Sequence, residues 1–314
     1  MRDIPVTLLA GYLGSGKTTL VNHVLAHANG LRIAVMVNDF GDLPIDASLI
    51  DAEDDDIIQL SGGCVCCSYG NDLTRALANL QTLAVRPEHV LIECSGVALP
   101  RPVKGSLSLI PGLYYDGTVG LIDGSQVTQQ LSDRYIGDTV ERQIQQSDVL
   151  FINKIDLLTQ EQLSTVKNAV SSLSSTRING VTSAQIPVEV VLSSGLNEQC
   201  ESINASATYA LDDHHAQFEA KIIRGTKPLS LKQLSKQLMQ ADAGIVRAKG
   251  YVFATDGKHY LLQMVGTTCE FSAVPVAAKA GRVSDVETTF VVIGLKGQIQ
   301  LDHIDGMTDG ITAS

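Results

Sequence analysis

Gly11-Tyr12-Leu13-Gly14-Ser15-Gly16-Lys17-Thr18 decides the fold. It follows the apolar run Val6–Ala10 and opens the helix-like pattern of Thr18–Ala28. Strand, glycine loop and helix in that order, with G-x-x-x-x-G-K-[ST] spacing, read as a phosphate-binding loop. The glycines let the backbone curl so that its N–H groups converge on phosphate oxygens at a helix N-terminus. Gly11, Gly14, Ser15, Gly16 and Thr19 are assigned to this cradle. Lys17 is assigned to the β- and γ-phosphates and the Thr18 hydroxyl to Mg²⁺.

Outward from the loop, short apolar runs alternate with helical patterns. Strands are expected at Val6–Ala10, Ile33–Val37, Val90–Ile92, Val119–Ile122, Val149–Ile152 and Pro187–Leu192, each apolar almost throughout, as parallel strands covered on both faces are. Helices are expected at Thr18–Ala28, Asn71–Leu83, Val140–Gln146 and Gln160–Leu173. The series predicts an α/β domain over residues 1–197, built on a doubly wound, mostly parallel sheet. Residues 198–217 are polar and pattern-poor and read as a linker. A smaller α+β domain is expected over 218–314. Its strands are Phe218–Ile223, Gly250–Thr255, His259–Val265 and Thr289–Gly294, its helix is Ser230–Ala241, and Asp256-Gly257 marks a hairpin.

Asn153-Lys154-Ile155-Asp156 follows a strand late in the series. A carboxylate at Asp156 can accept two hydrogen bonds from guanine, which adenine cannot supply. Asn153 can bond the purine edge, and Lys154 can lie along the ring. With the phosphate loop upstream, the pair points to GTP. Two acidic segments end strands at the edge where open α/β sheets bind ligands: Asn38-Asp39-Phe40-Gly41-Asp42 and Glu93-Cys94-Ser95-Gly96. Glu93 is a candidate to hold Mg²⁺ or a water, and the Gly96 N–H a candidate donor to the γ-phosphate. No residue stands out to position the attacking water, so unaided hydrolysis is expected to be slow.

Gly62-Gly63-Cys64-Val65-Cys66-Cys67 holds three of the chain's six cysteines. In an extended segment Cys64 and Cys66 project to one side and Cys67 to the other. Paired thiolates suit Zn²⁺ or Cu⁺. A fourth ligand must come from elsewhere, with Asp39 or Asp42 a candidate. A buried small-residue turn and a redox-active pair are the other readings.

With a net charge of −11 and a pI near 5.0 over 314 residues, the chain lacks the basic face that nucleic acid requires. No run approaches a membrane span, and the start has no signal-peptide shape. Neither nucleic acid nor membrane is therefore expected as a partner. With unpaired thiols, this places the protein in the cytoplasm.

These pieces resemble the CobW-like GTPases, a class of metallochaperones related to the GTPases that load nickel into urease and hydrogenase. The resemblance rests on residues 11–18, Asn38–Asp46, Gly63–Cys67, Glu93–Gly96, Glu141–Asp148 leading into Asn153–Asp156, and Val246-Arg247-Ala248-Lys249-Gly250. It implies GTP hydrolysis coupled to handing a transition metal to a client protein, with Cys64, Cys66 and Cys67 in the metal motif. Zinc is the default, with cobalt and iron open. It also implies that the C-terminal domain makes partner or homo-oligomer contacts. The family's first switch segment usually reads Asn-Glu-Phe-Gly-Glu, whereas here both acids are the shorter Asp39 and Asp42. A histidine-rich stretch common in relatives is reduced to His214-His215, read as linker. The rival reading is a regulatory GTPase switch whose cysteines are structural and whose output is protein binding.

Overall fold

The computed structural model describes residues 3–28, 30–37, 58–61, 71–83, 85–192, 218–240, 243–274, 288–300 and 310–312. Proximity along the backbone divides the chain into Met1–Leu192 and Ser193–Ser314. The expected linker at 198–217 lies outside the described residues.

The first unit runs β1 (Ile4–Ala10), α1 (Lys17–Ala26), β2 (Ile33–Val37), β3 (Ile58–Ser61), α2 (Asn71–Leu80), β4 (His89–Glu93), α3 (Pro100–Leu107) and β5 (Leu113–Asp123). It continues with α4 (Val127–Ser132), α5 (Gly137–Gln145), β6 (Val149–Asn153), α6 (Gln160–Leu173), β7 (Ile178–Gly180) and α7 (Val188–Val191). Its sheet has seven strands in the order β3-β2-β4-β1-β5-β6-β7, all paired in parallel. The chain moves from β1 to β2 in one direction and later to β5 in the other, so β1 lies at the switch point, where ligands bind beyond the strands' carboxyl ends. β1, β2, β4 and β6 are buried along their whole length, which explains their apolar sequences. Helix α6 starts as its sequence demands: Thr159 and Gln162 form a reciprocal capping box.

Two expectations are corrected. Pro187–Leu192 is not a strand; its valines form the short helix α7, with the Val190 and Val191 N–H groups on the Pro187 carbonyl at 3.0 and 3.2 Å. Valine's β preference reflects packing on a half-buried surface, and here Val188, Val190 and Val191 are buried from a helical turn. The strand beside β6 is instead the unforeseen Ile178–Gly180. An unforeseen strand, Ile58–Ser61, also makes His89–Glu93 fourth in the chain rather than third.

Polar side chains are also buried within this sheet. The Thr7 hydroxyl lies 2.8 Å from His89 Nε2 and 3.2 Å from Asp116 Oδ2. Asp116 falls where the β1–β5 register shifts by one residue. His89 therefore serves inside the sheet. Burial, reinforced by the Asp148 carboxylate, pushes the Tyr115 hydroxyl well above its ordinary pKa. The same carboxylate accepts the Thr118 N–H at 2.8 Å, joining β5 to the start of β6.

The second unit holds β8 (Phe218–Gly225), α8 (Leu231–Leu238), β9 (Ile245–Phe253), β10 (His259–Val265), β11 (Thr268–Ala273), β12 (Thr288–Leu295) and β13 (Gly310–Thr312). The six strands form an antiparallel sheet in the order β11-β10-β9-β12-β8-β13. Leu234 and Leu238 of α8 pack into a core with Ile245, Val252, Leu262 and Phe290. At Gly250 the strands touch: a Cβ there would stand 2.4 Å from Phe290 Cα, and φ is +152°. Gly250→Ala should therefore cost the C-terminal unit about 3 kcal/mol. Denaturant unfolding followed in parallel with nucleotide binding checks this, with stability falling while GTP binding persists.

Candidate functional site

The phosphate loop leaves β1 at Ala10 and re-enters regular structure at Lys17. Gly16 precedes the helix with φ 102° and ψ 21°, and no side chain caps the helix there. That left-handed conformation favours glycine. A Cβ at Gly16 would also stand 2.5 Å from Asn153 Nδ2. Gly11 and Ser15 are buried, while Gly14 and Thr19 are exposed. Lys17 is 7% exposed, with its Nζ 3.5 Å from the Tyr12 carbonyl. An uncapped helix start beside a folded-back lysine is suited to polyphosphate.

Thr18 Oγ1 donates to Glu93 Oε1 at 3.1 Å. Glu93 ends β4, beside Leu9 in the register, and is 3% exposed. Two hard oxygen donors so close form a set that Mg²⁺ accepts. Gly96 follows in a tight turn in which the Ala98 N–H donates to the Ser95 carbonyl at 2.8 Å. Gln143 Nε2 reaches across from α5 to the carbonyls of Gly96 and Ala98, at 3.0 and 2.8 Å.

Asn153 bonds two loops at once. Its Nδ2 donates to the Ser15 carbonyl at 2.9 Å, and its Oδ1 accepts the Ala184 N–H at 2.9 Å. The amide thus ties the phosphate loop to the turn holding Ser183 and Ala184, two non-glycine residues with φ 51° and 54°. Lys154 is also left-handed, at φ 62°, and its Nζ pairs with Asp123 Oδ2 at 2.6 Å. The other Asp123 oxygen accepts the Ser125 N–H and hydroxyl at 2.9 and 2.6 Å. Asp156 sits in a single 3₁₀ turn, Ile155–Leu157, and is exposed. Left-handed non-glycine residues are strained and gather where ligands bind.

The fold brings Lys17, Thr18, Glu93, Gly96, Asn153, Lys154 and Asp156 to the carboxyl edge of one sheet. Asp39, Asp42, Cys64, Cys66 and Cys67 lie outside the described residues; among the described ones no cluster of three metal-ligating side chains occurs. Sequence reading missed Asp123, Gln143 and the Ser183-Ala184 turn. Asp123 and Gln143 act on partners far along the chain, and Ser-Ala carries no left-handed signature such as Gly or Asn would.

A parallel sheet switching at β1, a phosphate loop there and an Asn-Lys-x-Asp element on the same edge define a P-loop GTPase. The chain belongs to the CobW/HypB/UreG family: residues 5–179 match its nucleotide-binding domain, and residues 218–305 match the cobalamin synthesis protein cobW C-terminal domain. It is 27% identical over 304 residues to the zinc chaperone CobW of a Sinorhizobium species, covering 84% of this chain and 85% of the relative. It is 26% identical over 298 residues to zinc-regulated GTPase metalloprotein activator 1 of Dictyostelium discoideum, spanning 79% of this chain and 62% of that protein. The solved Zn(II)-bound YjiA GTPase from E. coli aligns at a TM-score of 0.45 and 19% identity, covering 98% of this chain and all of the other. No helix among the described residues is long and apolar enough to cross a membrane.

Replacing Asn153 by Ala should release the phosphate loop from the Ala184 turn. Two buried hydrogen bonds are lost, and about 2 kcal/mol of nucleotide affinity should go with them, roughly thirtyfold. Titration with a fluorescent GTP analogue measures this; unchanged affinity would make the tie dispensable.

Proposed function

We propose that this GTPase is a metallochaperone that hands a transition metal, zinc by default, to a client protein in the cytoplasm. One observation carries the reading. β2 and β3 are neighbours that end at Val37 and Ser61, on the sheet edge that also bears Lys17, Thr18 and Glu93. Asp39 and Asp42 follow β2 by two and five residues, and Cys64, Cys66 and Cys67 follow β3 by three to six. The candidate metal ligands thus issue from strands that share an edge with the candidate phosphate site. Chain geometry leaves about 3.5 Å of reach per residue from those strand ends.

Lys17 and the helix α1 N-terminus hold the phosphates, and Asp156 reads the base. Thr18 and Glu93 would hold Mg²⁺, which when bound supplies charge neutralisation at the phosphates. Through their connection to β2 and β3, the acidic and cysteine segments respond to the γ-phosphate. GTP favours the arrangement that binds metal, and hydrolysis releases it to the client. The names of the CobW and zinc-regulated relatives favour zinc, and the thiolate–carboxylate donor set suits it.

Two other cysteines are poorly placed to compete for metal. Cys94 is 1% exposed beside Glu93, and burial pushes the Cys269 thiol up to about 11. Thiolate is the ligating form, so Cys269 is disfavoured near neutral pH, while Cys94 is closed off by its burial. Titrating the reduced protein with Zn²⁺ and Co²⁺, with and without a non-hydrolysable GTP analogue and Mg²⁺, tests the proposal. Wild type should bind one metal per chain more tightly with the analogue than with GDP. Cys66→Ser should lose at least about tenfold in affinity, since losing even a group that only orients a ligand costs that much. Cysteine-independent binding, or equal affinity in both nucleotide states, would leave a GTPase switch of another output.

A further inference from the structure

Helix α5 and the residue that ends it, Gln146, hold the segment after Glu93 through their side chains. Gln143 Nε2 donates to the Gly96 and Ala98 carbonyls, and Gln146 Oε1 accepts the Arg101 N–H at 3.0 Å. Chemistry settles how the Gln143 amide is turned. Both neighbours are carbonyl oxygens, so the nitrogen faces them. Its Oε1 is then buried with no hydrogen-bond partner among the described residues. Buried acceptors in that state are uncommon and unfavourable. An apolar side chain of the same length would fill the place without that penalty, so packing alone does not account for a glutamine here.

The held segment has a second feature. Gly96 is buried, and in its turn only the Ala98 N–H is used internally, on the Ser95 carbonyl. The Gly96 N–H donates to no acceptor among the described residues. The Gly96 N–H shares a rigid peptide unit with the Ser95 carbonyl, which the Ala98 N–H holds, and the Gln143 bonds to the Gly96 and Ala98 carbonyls fix the 96–97 and 98–99 units of the same turn. Gln143 also lines a small cavity shared with Gly11 and Tyr12 of the phosphate loop and with Asp123, the carboxylate that pairs with Lys154.

We infer that Gln143 is a positioning residue for GTP hydrolysis: by gripping the Gly96 and Ala98 carbonyls it aims the Gly96 N–H at the γ-phosphate and sets the preference for GTP over GDP. This rests on the assignment of Gly96 as a γ-phosphate donor. Gln143 touches no nucleotide; it acts through the turn.

Gln143→Met keeps the side-chain length and removes both N–H donors. Gln145→Met is the control, since Gln145 is exposed and bonds only Glu141 within its own helix. Affinities for a non-hydrolysable GTP analogue and for GDP, both with Mg²⁺, are compared with kcat and KM. In Gln143→Met the analogue should weaken about tenfold and kcat should fall about tenfold, while GDP affinity stays within about twofold, as the weakening of one hydrogen bond to the γ-phosphate predicts. Equal weakening of both nucleotides would mark a merely structural residue and overturn the inference, as would no change in either. If wild type does not distinguish the analogue from GDP, the Gly96 assignment itself fails and takes this inference with it. Should Gln143→Met not fold, Gln143→Asn carries the same readouts. It keeps the donors one methylene short and should show the same analogue-selective loss; a uniform loss would overturn the inference.

Discussion

The Asn153 amide is the tie on which the site depends. Its nitrogen is bonded to the Ser15 carbonyl and its oxygen to the Ala184 N–H, so one buried side chain sets the distance between the phosphate loop and the Ser183-Ala184 turn. A buried amide bonded at both ends costs little, whereas one left open on either side would be expensive. The constraint extends to Gly16, where Asn153 leaves no room for a Cβ. Lys154 and Asp156 follow directly, so their placement inherits the same anchor. Lys154 is then held by Asp123 from the neighbouring strand, and Asp156 is left facing solvent.

A second layer works in the same way on the other side of β1. Thr18 and Glu93 bring the start of α1 to the end of β4, and Gln143 grips the turn that follows. Helix α5 thereby supports the segment closest to the expected γ-phosphate. The helix also runs into Asp148, whose carboxylate accepts the Thr118 N–H and so aligns β5 with β6. In a P-loop GTPase the two ends of the nucleotide are read by separate loops. Here both loops hang from β1, β4, β5 and β6, strands buried within one sheet, and such a packed layer moves as a unit.

Much of the fold was legible because its signals are local. The glycine loop has fixed spacing, and buried parallel strands are apolar throughout. The capping box at Thr159 marks a helix start within four residues, and Asp256-Gly257 marks a hairpin, borne out by the pairing of β9 with β10. Where reading failed, the competing signals were local too. Pro187–Leu192 has a strand's composition, but its valines are buried from a helical turn. Ile178–Gly180 is too short to announce itself beside the long helix before it.

Sequence alone determined the chemistry available: a glycine loop with phosphate-binding spacing, an Asn-Lys-x-Asp element, acids at strand ends and a crowded cysteine triplet. Those are properties of residue type and spacing, and they survive without coordinates. Tertiary structure decided what each group does with its hydrogen bonds. Asn153 braces the phosphate loop against the Ala184 turn, Lys154 takes Asp123 as its partner, and Gln143 emerges as the grip on Gly96. Each assignment joins residues 31 to 138 positions apart, and the partner of a buried polar group is set by which strands lie side by side.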